Sequence, residues 1–406
     1  SPSGMVRVTV TQRLLERMAS RLERIEDELI ALRRDIHTHP ELSGEEERTA
    51  AIVAERLGAL GFSVREGVGG YGVVAVVEGA TPGPVVAYRA DMDAMPSEAP
   101  DPVPFRSETP GVRHICGHDV HVAVGLGLAE ALAEARDDLR GTVKLIFQPA
   151  EENAEGAMAM LNDGAFSDPT PQAIFAVHSA PLPVGTIGST EGLFLPGLTT
   201  LDVTLRGDNL KTPAEAYAAV IASVTTVAPP TNEMTLAQLP SINDPSGAVA
   251  AGVVKSEQAA PDQPLRLQAM MRATNRSAFE RAKVAIEAGV RDTVFDNVTV
   301  DLAFHEYVIP DVVNDATLVR AALDPMRAAL GPDAIIELDW TSPYNSEDFA
   351  FFLQHAPGAM YWLGVSNPEL GTVGLPHSPD FVADEQAIVV GANAMAVAVV
   401  NYLDTN

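Results

Sequence analysis

The sequence predicts an α/β fold: a mostly parallel sheet with helices on both faces, interrupted by a small α+β segment of ferredoxin-like order. Three observations predict it. From about residue 11 to 190, apolar strand-like runs alternate with helical patterns, the order in which crossover helices cover both faces of a parallel sheet. After about residue 188 the pattern becomes β-α-β-β-α-β with longer polar connections, which fits helices laid on an antiparallel sheet. Near residue 310 the first pattern returns. The expected organisation is one domain of 5–190 and 307–406, interrupted by another of 191–306.

The elements follow in order. Over 11–38, Leu14, Met18, Leu22, Ile25, Leu29 and Leu32 recur at helical spacing, which predicts one amphipathic helix. Pro40 ends it. A second helix is expected from Glu45 to Leu60, with Gly61 beyond its end. Strands are expected in YGVVAVVEG, in PVVAYRADMDAMP, over 142–148 and over 173–178, with helices in the 120s and near 155–162. In the insert, TTLDVTLRG (199–207) alternates as a half-buried strand. A helix (PAEAYAAVIASVTTV), a Pro/Asn-rich stretch (229–247), the strand LRLQAMMRAT (265–274), a helix at 277–292 and the strand VTVDLAFHEY follow. The returning pattern holds the helix ATLVRAALDPMRAAL, the apolar run 359–364 and a long final helix, EQAIVVGANAMAVAVVNYL.

Composition narrows the class. The chain has 406 residues, 46% of them hydrophobic and 20% charged, enough for two domains with a sizeable core. No apolar run is counted as reaching the roughly 18–20 residues of a membrane span. The opening SPSG before Met5 reads as an expression scar. No secretory start is read, and one cysteine among 406 residues admits no internal disulfide, so the expected location is cytoplasmic. The net charge of −28, with 55 acidic against 27 basic residues, repels phosphate backbones; nucleic acid and membrane are not expected partners.

The chemistry lies in a few loops. HICGHDVHV places Cys116 two residues before His118, at the entry to a small-residue helix. GTVKLIFQPAEE ends an apolar run in Glu151 and Glu152; FAVHSAP ends another at His178; GLPHSPDF holds His377. A lone cysteine is ordinarily a small core hydrophobe, and a lone histidine at a strand end an ordinary hydrogen-bonded one. Here a thiolate, three imidazoles and a carboxylate all follow apolar runs, where open α/β sheets build their sites. That donor set suits a borderline-soft divalent ion such as zinc. In an extended loop Cys116 and His118 would point the same way. In a strand, adjacent glutamates would point apart, one to metal and one to the water. Glu151 is the spare carboxylate that could take a proton from that water. Other schemes lack their residues: no H-E-x-x-H, no second cysteine for a deaminase site, no G-x-S-x-G, no P-loop and no G-x-G-x-x-G after a strand.

The blocks RRDIHTHPELSGEE, YRADMDAMP, HICGHDVHVAVGLG, GTVKLIFQPAEENAEGAMAMLNDGAF, AVHSAPLPVGTIG, SEDFAFFL and LPHSPDFVADEQA run in order along the whole chain. They resemble the successive blocks of the bacterial N-acyl-amino-acid amidohydrolases. That group includes hippurate hydrolases and plant auxin–amino-acid conjugate hydrolases, within the aminoacylase/carboxypeptidase-type dinuclear metallopeptidases. The resemblance implies two divalent ions (zinc, manganese, cobalt or nickel) on Cys116, His118, Glu152, His178 and His377, with the thiolate able to bridge, and Glu151 as general base. It implies hydrolysis of the amide of a small N-acyl amino acid or related acyl-amine conjugate by a metal-activated water, and a homodimer through the inserted lid. Asp91 and Asp119 are expected to orient ligands. Asp93, Glu347 and Asp348 match blocks without a role derived from the residues.

The insert departs from the resemblance. Where such relatives carry a G-G-H-type segment whose histidine binds the oxyanion, this chain reads RGDNLKTPAEA; where they carry N-V-I-P it reads GVVK at Gly252–Lys255; before S-E-D stands Asn345. The insert's only histidine is His305. Three readings follow: an enzyme with another oxyanion donor, such as Asn209 or Lys211; a divergent pseudoenzyme that binds metal and ligand; or an ordinary amidohydrolase whose lid histidine stands elsewhere. A dipeptidase or carboxypeptidase is the enzymatic alternative.

Overall fold

In the computed structural model, which describes residues 9–232 and 238–406, Thr9 and Gln12 close a capping box on α1 (Val10–Arg24). The sequence predicts one helix here, but the structure breaks it at Ile25, with φ −110° and ψ 9°, and restarts it as α2 (Glu26–Thr38). The charges favour the break. Arg21 and Arg24 close α1, while Glu26, Asp27 and Glu28 open α2, each sign at the helix end whose dipole favours it. α3 (Glu47–Ala59) ends before Gly61 at φ 79°. The SPSG segment, and 233–237 of the polar stretch in the insert, lie outside the described residues.

The chain divides into two units. The first runs to Glu191 and takes in Asn314–Leu338 and Phe351–Asn406. It holds β1 (Ser63–Val68), β2 (Gly72–Glu78), β3 (Thr81–Asp91), the short pair β4 (Met95–Pro96) and β5 (Val112–Arg113), α4 (His118–Ala135), β6 (Arg140–Gln148), α5 (Gly156–Asn162), β7 (Ala173–Pro183) and β8 (Ile187–Ser189). The second unit, Gly192–Val313 with Asp339–Ala350, holds β9 (Gly192–Leu195), β10 (Leu198–Arg206), α6 (Lys211–Ala222), β11 (Val249–Gln258), β12 (Leu265–Ala273), α7 (Arg276–Asp292) and β13 (Thr299–Ile309). β14 (Val312–Asn314) returns the chain to α8 (Ala316–Leu330) and β15 (Ile335–Glu337); α9 (Phe349–Leu353), β16 (Gly358–Ser366) and α10 (Ala387–Thr405) finish it.

Eight strands of the first unit form one sheet, in the order β1-β2-β6-β3-β7-β16-β8-β15. Its centre is parallel: β6, β3, β7 and β16 run side by side in one direction. β7 and β16 are almost wholly buried, which explains why they read as unbroken apolar runs instead of alternating ones. The final helix corrects one sequence expectation. By length and a mean hydropathy of 1.6, α10 is apolar enough to cross a bilayer, but 72% of that stretch is buried in the protein. It is a core helix, packed on α4 and α8.

In the second unit β10-α6-β11-β12-α7-β13 build a four-stranded antiparallel sheet in the order β11-β12-β10-β13. Leu201, Val203 and Leu205 alternate inward with Leu265, Leu267, Ala269 and Met271, and α6 and α7 cover them with Tyr217, Ile221, Phe279 and Ile286. Among these strands, β11 is the one the sequence reading passes over. Its first two residues are buried but its last five, Val254–Gln258, are exposed, so it shows no period-two signature. The segment Asp339–Ala350, expected with the outer domain, belongs to this unit instead. Its backbone explains why: Thr341 N–H donates to Pro240 and Ile242 N–H to Asp339.

Candidate metal centre

Strand ends and turns of the first unit bring its reactive groups together. β3 ends at Asp91, two residues before Asp93; β6 ends at Gln148, just before Glu151 and Glu152; β7 carries His178; α4 begins at His118. Gly117 turns the chain from Cys116 into α4 at φ 87°, and a Cβ there would stand 2.5 Å from Ser179 Oγ. Gly156 lets the 150–156 turn close, because its Cβ would lie 1.6 Å from the Pro149 carbonyl oxygen. Only glycine fits either approach.

Hydrogen bonds set the ring tautomers. His118 Nδ1 donates to Asp93 Oδ1 at 3.1 Å, and His178 Nδ1 donates to the Ser179 carbonyl at 2.8 Å. Each leaves its Nε2 directed inward, the arrangement that readies imidazole for a metal. The His178 Nε2 lies 3.6 Å from Cys116 Sγ. The His118 Nε2 lies 3.5 Å from Glu152 Oε1, 3.8 Å from Glu151 Oε2 and 3.4 Å from Asp91 Oδ2. His377 enters from a loop, with Nε2 3.3 Å from Glu152 Oε2; its φ of 68° and its N–H bond to the Ile115 carbonyl at 2.8 Å hold it there.

The electrostatics ask for cations. Burial would lower the pKa of His118, but Asp91 and Asp93 outweigh it and hold the ring at about 10, so without an ion both its nitrogens carry protons, and to bind a metal the ring must first lose the Nε2 proton. Burial would raise that of Asp91, yet His118, Arg89 and His121 keep it well below the usual carboxylate range. Burial, with His121 next, pushes His178 well down and so keeps it neutral. Burial and the nearby Glu152, Glu151 and Asp91 carboxylates push the Cys116 thiol well up; a bound cation reverses that balance and deprotonates a coordinating thiol.

The donors fit metal ions. Cys116, His118 and His178 form one group, Cys116, Glu152 and His377 a second, and His118, Glu151 and Glu152 a third; within each, the ligand atoms lie within 4.8 Å of one another. Cys116 belongs to the first two. Two buried atoms here, His118 Nε2 and Glu152 Oε1, have no hydrogen-bond partner among the described residues. Buried polar atoms are rarely left so, and ions between them would satisfy both.

All six sequence-named residues therefore come together, though not all as expected. Glu151 and Glu152 stand on a turn, not a strand, and both carboxylates approach His118. Asp119 does not orient a ligand ring. It accepts from Arg33 Nε at 2.7 Å and pairs with His37 Nδ1 at 2.8 Å, behind the site. Asp93 does that work for His118. Asn209, in the left-handed region at φ 55°, and Lys211 are exposed in the second unit, as is His305, whose Nε2 lies 3.0 Å from Asp202. Glu347 and Asp348 are buried in the second unit.

The sequence reading passes over His121 and Arg89. Ser179 N–H donates to His121 Nε2 at 2.8 Å, and His121 Nδ1 donates to Asp91 Oδ1 at 2.6 Å, so both ring nitrogens are spent. Arg89 donates to Asp91 Oδ2 at 2.9 Å. The signal for His121 was its spacing: three residues after His118 on a helix is the same face.

Comparison with known proteins agrees with this architecture. The profile of Peptidase family M20/M25/M40 matches residues 87–401. A thermostable carboxypeptidase of Saccharolobus solfataricus is 33% identical over 96% of this chain and 99% of its own length. An N-acetylcysteine deacetylase of Bacillus subtilis is 32% identical over 93% of this chain and 97% of its own. The crystal structure of a dinuclear metal binding peptidase from the M20 family of Bacillus subtilis superposes with a TM-score of 0.75 at 28% identity, over 95% of this chain and all of that one. With the profile match spanning well over half the chain, this protein belongs to Peptidase family M20/M25/M40 and is a metal-dependent amide hydrolase.

Proposed function

We propose that the chain hydrolyses the amide of a small N-acyl amino acid at a site of two divalent ions, with Cys116, His118, Glu152, His178 and His377 as ligands and Glu151 as general base. One observation carries the reading: two donor groups overlap at Cys116, and Glu151, outside both of them, stands beside His118. When bound, the ions supply Lewis acidity toward the amide carbonyl and toward water. Glu151 takes the proton from the attacking water and returns it to the leaving nitrogen. Asp93 and the Ser179 carbonyl hold His118 and His178 with their Nε2 atoms inward. His121 and Arg89 keep Asp91 charged and fixed behind His118. The thiolate favours zinc, and the carboxylates admit manganese, cobalt or nickel.

The N-acyl reading draws on the likeness to the N-acetylcysteine deacetylase, and a carboxypeptidase reading on the thermostable carboxypeptidase. The first unit is assigned the chemistry, and the second, Gly192–Val313 with Asp339–Ala350, the part of a lid through which two copies pair. A single cysteine in 406 residues supports a cytoplasmic location. The test is a mass-spectrometric screen of metal-reconstituted protein against N-acyl amino acids and dipeptides, with Glu151→Ala alongside. Cleavage of acylated substrates by wild type alone is expected. Cleavage only of dipeptides favours the peptidase. No cleavage with two ions bound per chain favours the pseudoenzyme.

A further inference from the structure

Glu46 is fully buried in the loop before α3. Its Oε1 accepts from Gly44 N–H at 2.9 Å and from Ala150 N–H at 2.7 Å. Its Oε2 is buried without a hydrogen-bond partner among the described residues. Ala150 is a non-glycine residue at φ 54° and Ala154 another at φ 59°, both in the region that L-residues visit at a cost of roughly 1–3 kcal/mol each. The turn between them carries Glu151 and Glu152. Ala154 N–H donates to the Glu151 carbonyl at 2.8 Å and Gly156 N–H to that of Ala150 at 2.9 Å.

The N–H groups on either side of Glu151 are thus both held by carboxylates. Glu46 holds Ala150 N–H, and Asp93 Oδ2 accepts from Glu152 N–H at 2.9 Å and from Ser43 Oγ at 2.7 Å. Ser43, Gly44 and Glu46 form one short segment, which holds the turn directly through Glu46 and supports Asp93, the other holder, through Ser43. Asp93 also orients His118; Glu46 has no such second task. Burial pushes the Glu46 carboxyl up to about 7, a costly group to keep where a backbone could have closed its own turn.

We infer that Glu46 is a positioning residue for Glu151: its hydrogen bond to Ala150 N–H holds the left-handed turn that aims the Glu151 carboxylate. The inference rests on the reading of Glu151 as general base. A carboxylate displaced by about 1 Å can lose on the order of 10²-fold in rate.

The experiment compares metal-loaded wild type, Glu46→Ala, Glu46→Gln and Glu151→Ala on N-acetylcysteine, or on whichever N-acyl amino acid the wild type cleaves fastest. It records kcat, KM, bound metal by mass spectrometry and the thermal melt. Glu46→Ala is expected to lower kcat by about 10–100-fold, with KM within about twofold and full metal occupancy. Glu46→Gln, whose amide oxygen accepts the same two N–H bonds, is expected to recover kcat to within about threefold of wild type. If Glu46→Ala does not fold, Glu46→Asp replaces it, since the shorter side chain withdraws the acceptor. Wild-type kcat in Glu46→Ala, with Glu151→Ala inactive, overturns the positioning role alone. Equal losses in Gln and Ala, or a loss that tracks missing metal, overturn it as well. Turnover retained by Glu151→Ala brings down the base assignment and this inference together.

Discussion

The two units spend their charges differently. In the first, Arg89, Asp91, Asp93, His118, His121, Arg33, Asp119 and His37 are all buried and hydrogen-bonded in three groups: Arg33–Asp119–His37, Arg89–Asp91–His121 and His118–Asp93. In the second, the Asp202–His305 contact and the ion pairs Lys283–Glu306 and Arg206–Asp301 lie on half-exposed or exposed faces. A surface pair is screened and contributes roughly 0–1 kcal/mol. A buried charge is strongly unfavourable unless paired, and removing one partner costs about 3–5 kcal/mol. The first unit tolerates that expense at one end of its parallel strands, where imidazole tautomers and carboxylate directions must be set. In the second unit Glu347 and Asp348 are buried, but the pairs named above lie at its surface.

The largest expected break of this contrast is at Glu151. Glu151→Gln should lower kcat by about 10²–10⁴-fold, the usual worth of a general base, with KM nearly unchanged; steady-state kinetics on the metal-loaded enzyme measures it. A fall in kcat/KM carried by KM alone would make Glu151 a binding group.

Stability against pH sharpens the contrast next. The folded Glu46 carboxyl is raised to about 7 by burial, above its unfolded value. Between about 4.5 and 7 the unfolded chain has released this proton and the folded protein still holds it, so stability falls as pH climbs through that window and stays lowered above it. The shift corresponds to roughly 3 kcal/mol. Glu46→Gln lacks this loss. Its melting temperature should rise relative to wild type between pH 5 and pH 8, both measured metal-loaded. A pH-independent difference would place the ionised carboxylate in a wetter setting than the structure gives it.

Asp93→Ala should weaken metal affinity about 10–100-fold, the usual effect of losing a group that orients a ligand ring, and competitive chelator titration reads it. An unchanged affinity would mean that His118 needs no partner. The smallest effect belongs to the second unit. His305→Ala should leave kcat/KM within about twofold and stability within about 1 kcal/mol. A tenfold loss of activity would show that the insert's histidine takes part in the chemistry and would erase the contrast.

Much of this molecule is legible in its residues. Helical spacing, the apolar runs of β7 and β16, and the alternation in β10 and β12 follow directly from which faces are buried, because burial imposes the period. The break at Ile25 and the strand β11 were less so. The apolar stripe runs on through the break, and β11 is exposed along most of its length. The proposed metal donors were legible as residue types after apolar runs, since chain entry into a loop is written locally. What only the tertiary structure decided is direction. A sequence places Glu151 beside Glu152 but does not say that a left-handed turn brings both carboxylates toward His118. It places Asp119 beside His118 but does not say that a helix start sends it back to Arg33 and His37. Glu46 stands 104 residues from the N–H it holds, in a run of three glutamates that reads as surface. Side-chain direction depends on backbone dihedrals and on partners distant in the chain, and neither is carried by local composition.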